Sequence, residues 1–293
     1  MWWHQLVIIV PSNLNPANKN NATMYITGGG NDCDKSECTQ DNWPKALDED
    51  IDTAAALAMG TGTVTSVLFQ IPNEHVTFAS DPIQKSRSED AIIAFTWAHF
   101  LDDPSDPTWL VRVPMVRGAV RAMDAVSEWL AQEGPSHGLA GYTGQYFGVA
   151  GASKRGWTTW LVGAVDPERV VAIVPIVLDA INFVEFFHHQ YKSYNGWSFA
   201  LSDYYDMGIM DRCDEPNMLL LQQMEDPYFY IDRLTMPKMI VNAVGDEFQQ
   251  PDDTHFWWSD MPEPKHWLML PNAEHSCATG IFEAVPAIGT WLK

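Results

Sequence analysis

Residues 145–157 of this 293-residue chain read QYFGVAGASKRGW. The apolar run Tyr146–Ala150 is typical of a buried strand. It is followed by a helical pattern whose apolar side chains fall at offsets 0, 3, 4 and 7, namely Trp157, Trp160, Leu161 and Ala164. The segment therefore predicts a strand that turns directly into a helix.

The turn itself carries a serine between small residues. Gly151 and Ala152 precede Ser153, and a sharp strand-to-helix turn needs small neighbours because it brings backbones close together. This pattern predicts a nucleophile elbow with Ser153 at its tip. The usual second glycine is displaced by one position, because Arg155 precedes Gly156.

Short apolar runs alternate with amphipathic stretches along the rest of the chain, which predicts a mainly parallel sheet flanked by helices. Helical periodicity appears from Leu47 to Ala58 and from Val116 to Leu130, and Ser86-x-x-Glu89 has the spacing of a capping box. The other predicted strands are Leu6–Val10, Met24–Thr27, Val64–Ile71, Val170–Val177, Met239–Val244 and Trp267–Leu270.

One segment interrupts this alternation. Residues 182–235 contain many aromatic side chains at helical spacing and no strand-like run. We expect a single α/β domain over residues 1–293, with 182–235 inserted as a helical cap at the carboxyl end of the sheet, where open α/β sheets bind ligands. The alternative is an additional helical layer that only fills core.

The composition limits the classes of function. Seventeen Lys and Arg against 38 Asp and Glu give a formal net charge of −21, which disfavours nucleic acid and anionic membrane surfaces as partners. No uncharged apolar run approaches the roughly 20 residues needed to cross a bilayer. The first residues lack a basic region and a cleavage site and predict a strand rather than a signal peptide.

A nucleophilic serine needs a base and an acid that orients the base. Asp246 follows a predicted strand, and His275 follows the last one, which matches the order Ser, Asp, His of α/β-hydrolases. We therefore predict a catalytic triad of Ser153, Asp246 and His275. Asp179, at the end of the preceding strand, is a rival acid. The other histidines, such as His188, His189 and His255, could be ordinary surface or core residues.

Acyl transfer also requires donors to a developing oxyanion. The backbone N–H of Lys154 is the first candidate, because it follows the serine. Gly28-Gly29-Gly30 follows a predicted strand and can turn its N–H groups inward, so Gly29 and Gly30 are the second candidates. A flexible turn is the alternative for this loop.

Further residues are candidates for substrate contacts. Asn73 and Glu74 follow a strand end, and Trp197 and Tyr204 belong to the aromatic segment, which implies a substrate with an apolar or ring-bearing portion. Each could equally be structural.

The cations beside the serine also have two possible roles. Lys154 and Arg155 could bind an anionic substrate group, or they could pair with Glu89 and Asp90; for Arg155 we favour pairing.

The cysteines leave the redox state open. Cys33 and Cys38 are close enough in sequence to bridge in an oxidising compartment, and Cys213 with Cys277 could form a second pair. Acidic residues surround Cys33, but no spacing typical of metal ligands is present, so we predict no metal and no cofactor.

The blocks GASKRGWTTW (151–160), GDEF (245–248) and LPNAEHS (270–276) resemble the PhoPQ-activated pathogenicity-related protein family. The resemblance implies an α/β-hydrolase fold, a secreted or periplasmic location and a triad at Ser153, Asp246 and His275. The chain departs from the family at Gln249-Gln250, where aromatic residues are common. Family members generally carry more sequence before the first strand, so the resemblance also implies a truncated N-terminus. The basic residue after the serine is also locally similar to the elbow of glucuronoyl esterases.

Together these features predict a serine hydrolase that cleaves an ester or amide through an acyl-enzyme. Its partner would be a small molecule, a peptide or a sugar ester, and the sequence does not predict an oligomeric state. Two alternatives stay open: a secreted signalling or binding protein that keeps the fold without turnover, and a carbohydrate esterase similar to glucuronoyl esterases.

Overall fold

The computed structural model describes residues 2–31 and 48–293. Its centre is a seven-stranded sheet in the order β1-β3-β2-β6-β7-β8-β9. The seven strands are β1 Leu6–Ile9, β2 Asn21–Ile26, β3 Val64–Leu68, β6 Tyr146–Ala152, β7 Val170–Ile176, β8 Lys238–Ala243 and β9 Lys265–Leu270. A separate pair, β4 Val76–Thr77 and β5 Ser86–Arg87, forms a small hairpin.

All seven strands correspond to runs that the sequence predicts. Neighbouring strands are parallel except for β1, which pairs antiparallel with β3 at the edge. In the centre Met24 pairs with Val149 and Ala150 with Val174, and these side chains are buried. Strands covered on both faces should be apolar throughout, which is why continuous apolar runs identify them.

Helices cover both faces of the sheet. One face packs against α1 Glu49–Thr61 and α8 Ile281–Trp291, and the other packs against α2 Glu89–Asp102, α3 Arg112–Gln132 and α4 Lys154–Val165. The fold is therefore α/β, with a mostly parallel central sheet flanked by helices, as predicted. The elements between β7 and β8 are α5 Phe183–Tyr194, α6 Ser202–Asp206 and α7 Pro216–Glu225, joined by short 3-10 turns.

The prediction of a capping box was wrong. Helix α2 begins at Glu89 with Ser88 as its N-cap, whereas Ser86 belongs to strand β5. The carboxylate of Glu89 does not reach back to the helix start. It pairs instead with two cations of α4, Lys154 and Arg155, because opposite charges in a partly buried setting outweigh a local cap.

The pairing of Cys213 with Cys277 is also wrong. Both are free thiols and both are buried. They belong to the cores on opposite faces of the sheet, so the sheet itself separates them. The other pair that the sequence suggested, Cys33 and Cys38, lies outside the described residues.

Within the described ranges, no helix combines the length and the apolar character needed to cross a membrane.

Candidate active site

The turn between β6 and α4 holds Ser153 in an unusual backbone conformation. Its φ is 56° and its ψ is −128°, a region that side-chain-bearing residues rarely occupy. Such strain persists only where the surrounding structure enforces it, and it commonly marks functional sites. Here the Ser153 N–H donates to the carbonyl of Ile176 at 2.9 Å, which ties the turn to β7.

Two glycines make this turn possible. A Cβ on Gly151 would lie 2.7 Å from the backbone oxygen of Arg155, and a Cβ on Gly156 would lie 2.9 Å from that of Ile176. Both contacts are with backbone and cannot be relieved by a rotamer change. The displaced second glycine therefore has a steric role, since a side chain at position 156 would meet the backbone of β7.

Ser153, His275 and Asp246 form one hydrogen-bonded row. Ser153 Oγ lies 2.8 Å from His275 Nε2, and His275 Nδ1 lies 2.9 Å from both carboxylate oxygens of Asp246. The Asp246 side chain is 2% exposed, while that of His275 is 17% exposed. Residues 122 positions apart thus meet with the geometry of a base that is oriented by an acid.

The rival residues lie elsewhere. Asp179 is fully buried, but its carboxylate forms no hydrogen bond to any described residue, His275 included. Burial raises its pKa well above the ordinary value. His188 pairs with Asp214 and His189 with Asp252 at the surface. The acid in contact with the imidazole is therefore Asp246.

The glycine loop borders the same site. Gly28, Gly29 and Gly30 line a cleft together with Ser153, Lys154 and His275. Gly29 has a φ of 108°, which favours glycine, and the Gly28 carbonyl is held by the Gln70 N–H at 2.7 Å. The glycine loop and Lys154 therefore border the same cleft as Ser153.

The two cations after the serine are already paired. The Lys154 ammonium lies 2.7 Å from Glu89 and 3.0 Å from Asp90, and the Arg155 guanidinium lies 2.5 Å from Glu89. Burial raises the pKa of Glu89, but the charges of Arg155 and Lys154 outweigh burial and hold it well below its ordinary value. Both cations thus form ion pairs with carboxylates, Arg155 as the sequence analysis favoured and Lys154 as well.

The predicted substrate contacts divide into two groups. Tyr204 lines the cavity beside Ser153, and its hydroxyl donates to Asp90 at 2.9 Å. Asn73 instead bonds Asn31 and the Trp3 carbonyl, and Glu74 accepts from the Glu89 N–H; both are buried and neither lines a cavity next to the serine.

Trp197 is not among the residues that line these cavities either. It packs on Phe187 and Tyr191 at ring-centroid distances of 6.4 and 5.1 Å. Its contribution to the site is indirect, through the position of Phe187.

Two spaces meet at the serine. One is a cavity of about 50 Å³, whose lining includes the aromatic side chains Trp97, Trp157, Phe183, Phe186, Phe187, Tyr204 and Phe248. The other is an open cleft of about 640 Å³ on the glycine-loop side. The cleft is polar and acidic, with Gln5, Gln70, Asp48, Glu49 and Asp50 among its lining residues.

Three residues of the site escaped the sequence analysis. The Phe248 ring lies 4.3 Å from the imidazole of His275, and the side chain of Gln249 accepts from the Ala180 N–H at 3.1 Å and donates to the Val177 carbonyl at 2.6 Å. Arg112, wholly buried, borders the small cavity. Phe248 stands in the block GDEF that resembles the family, whereas Gln249 stands at a position that departs from it.

One group among the described residues has the composition of a cation site. Ligand atoms of His189, Asp252 and Asp253 lie within 4.8 Å of one another. His189 Nε2 and the Asp252 carboxylate are 3.2 Å apart, so an ordinary histidine–aspartate pair accounts for their approach.

Solved structures that resemble this fold include esterases and a peptidase. The acetyl xylan esterase of Paenibacillus sp. R4 superposes with a TM-score of 0.58 at 11% identity, over 97% of this chain and 79% of the other. Est1E from Butyrivibrio proteoclasticus gives 0.54 at 12%, over 99% and 93%, and the proline iminopeptidase of Mycobacterium smegmatis gives 0.52 at 12%, over 99% and 94%. The chain therefore has the α/β-hydrolase fold.

The family follows from sequence. A model of the PhoPQ-activated pathogenicity-related protein family matches residues 1–292, and the chain belongs to this family. It is also 39% identical, over its whole length, to autocrine proliferation repressor protein A of Dictyostelium discoideum. The chain spans 55% of the length of that relative.

Proposed function

We propose that this protein is a serine hydrolase that cleaves an ester or amide bond through an acyl-enzyme. The observation that carries the proposal is the row Ser153–His275–Asp246, with distances of 2.8 and 2.9 Å, at a strained turn that opens into two cavities. Strain and a hydrogen-bonded row at the same residue are characteristic of an activated serine.

The roles of the residues follow from the geometry. Asp246 accepts from Nδ1–H of His275, which leaves Nε2 free to take the Ser153 proton as Oγ attacks the carbonyl carbon. The amides of Lys154 and of Gly29 or Gly30 stabilise the oxyanion. The imidazolium then protonates the leaving group. A water molecule, deprotonated by the same imidazole, releases the acid and restores Ser153.

The small cavity limits the substrate. A cavity that binds benzene has a volume of roughly 150 Å³. A cavity of about 50 Å³ therefore accommodates an acyl group of a few heavy atoms but no ring. Aromatic side chains form part of its wall. The broad polar cleft then suits a hydroxyl-rich or cationic leaving group.

Active-site labelling tests the proposal. A fluorophosphonate probe should label the native protein and fail to label Ser153→Ala, which should remain folded. Esters of p-nitrophenol with acetyl groups should be cleaved with higher kcat/KM than octanoyl or benzoyl esters. A folded native protein that neither reacts with the probe nor cleaves any of these esters would instead favour the signalling or binding role.

The name of the Dictyostelium relative is the observation that favours this second role. We also propose that the protein is secreted or periplasmic.

A further inference from the structure

A second groove lies on the outer side of the helical layer, between α3, α4 and the end of α7. It has a volume of about 660 Å³, within the usual range of ligand sites. Its walls are largely aliphatic, being formed by Val113, Val116, Val120, Leu161, Ala164, Val165 and Met224. Val113 and Val165 are each about half exposed, at 49% and 58%. The groove therefore presents aliphatic surface to solvent.

The charge along this groove is opposite to that of the protein as a whole. Five of the chain's 17 cationic side chains line it, although the net charge is −21: Arg112, Arg117, Arg121, Arg169 and Arg233. The one exposed carboxylate in the lining, Asp124, is bridged by Arg121 at 2.9 Å and by Arg169 at 2.8 Å. The groove is a local region of positive potential on an acidic surface, which attracts anions.

Two of these arginines have guanidinium groups available. Among the described residues, no carboxylate lies within 4.0 Å of Arg117 or Arg233, and the Arg233 guanidinium rests 5.7 Å from the centre of the Tyr230 ring. Guanidinium groups bind carboxylate and phosphate in a bidentate manner.

The base of the groove contains an unsatisfied donor. Arg112 is wholly buried and lines the groove; its Nε lies 3.4 Å from Glu225 and its Nη1 donates to the Lys154 carbonyl at 3.2 Å. Its Nη2 has no hydrogen-bond partner among the described residues. A buried donor without a partner is costly, and an anionic oxygen would satisfy it.

We propose that this groove binds a small organic anion that has a carboxylate or phosphate head and an aliphatic body. The head would contact Arg117, Arg233 or Arg112, and the body would cover the valine-rich wall. Because Arg112 also borders the cavity beside Ser153, the proposed site adjoins the candidate active site without sharing its serine.

Calorimetric titration of the 293-residue chain tests this site. Octyl phosphate and octanoate should bind, whereas octyl glucoside and inorganic phosphate should bind at least tenfold more weakly. Arg117→Gln combined with Arg233→Gln should weaken octyl phosphate about tenfold, and so should Val120→Asp, which places a negative charge in the wall. Lys192→Gln, an exposed cation on α5, is the matched control and should change nothing.

The native protein supplies an independent measurement. Raising sodium chloride from 50 to 500 mM should weaken octyl phosphate binding several-fold, because exposed charges are screened. Equal affinity for octyl glucoside, affinity unchanged by both groove variants, or no binding would each overturn the proposal. Binding to Ser153→Ala should match that to the native protein, so the result is independent of whether the serine is catalytic.

Discussion

Replacing Asp246 by asparagine tests the row of hydrogen bonds most directly. One oxygen of Asp246, Oδ1, accepts from the backbone N–H groups of Phe248 at 2.8 Å and Gln249 at 3.1 Å. In Asp246→Asn the side-chain amide oxygen must keep the position of Oδ1, since the two backbone N–H groups that face it are donors. The amide nitrogen then takes the position of Oδ2, 2.9 Å from His275 Nδ1, while Oδ1, also 2.9 Å from Nδ1, stays engaged with the two backbone N–H groups.

This exchange reverses the tautomer of the His275 imidazole. An amide donor facing Nδ1 requires Nδ1 to accept, so the ring proton moves to Nε2 and Ser153 loses its base. Trapping the wrong tautomer costs about 10⁴-fold in serine hydrolases that use such a triad, which corresponds to about 5 kcal/mol of transition-state stabilisation. We expect that loss in kcat/KM for p-nitrophenyl acetate and in the rate of fluorophosphonate labelling, with little change in Tm.

Asp179→Asn is the matched control. It makes the same chemical change at the end of the neighbouring strand, in a buried carboxyl group that makes no hydrogen bond to His275. We expect its labelling rate to stay within about threefold of the native rate. The assignment is refuted if Asp246→Asn keeps more than a tenth of the native activity, or if Asp179→Asn loses as much.

Three further outcomes follow from packing and burial. Gly156→Ala should lower stability by about 1–3 kcal/mol in thermal denaturation, because its Cβ meets backbone oxygens at 2.9 and 3.1 Å; Gly196→Ala, with no neighbour within 4 Å, should not, and equal Tm values would contradict this. Burial raises the pKa of Asp253 to about 7, so the folded state loses stability as pH rises from about 4 to 7. The Tm of Asp253→Asn minus that of the native protein should therefore be larger at pH 8 than at pH 4.5. A Tm difference that does not change with pH would count against this reasoning. Burial also raises the thiol pKa of Cys213 and Cys277 to about 12, so iodoacetamide at pH 8 should modify either only after unfolding, which peptide mass spectrometry can follow.

Much of the fold was predictable because its determinants are local. A strand buried on both faces must be apolar residue by residue, and a tight turn must carry small residues, so both leave a mark in a short stretch of sequence. The order of the strand-end residues Ser153, Asp246 and His275 could be predicted for the same reason. The capping box failed because Glu89 is committed to cations 65 and 66 positions away.

The amino-acid sequence by itself determined the succession of strands and helices and the residue types that stand at the strand ends. Only the tertiary structure decided between Asp246 and Asp179, which end adjacent strands and differ in whether they reach the imidazole. It also decided that Lys154 is paired and that a group of arginines lines one groove. These outcomes depend on distances between residues far apart in the chain, and periodicity and local spacing carry no information about such distances.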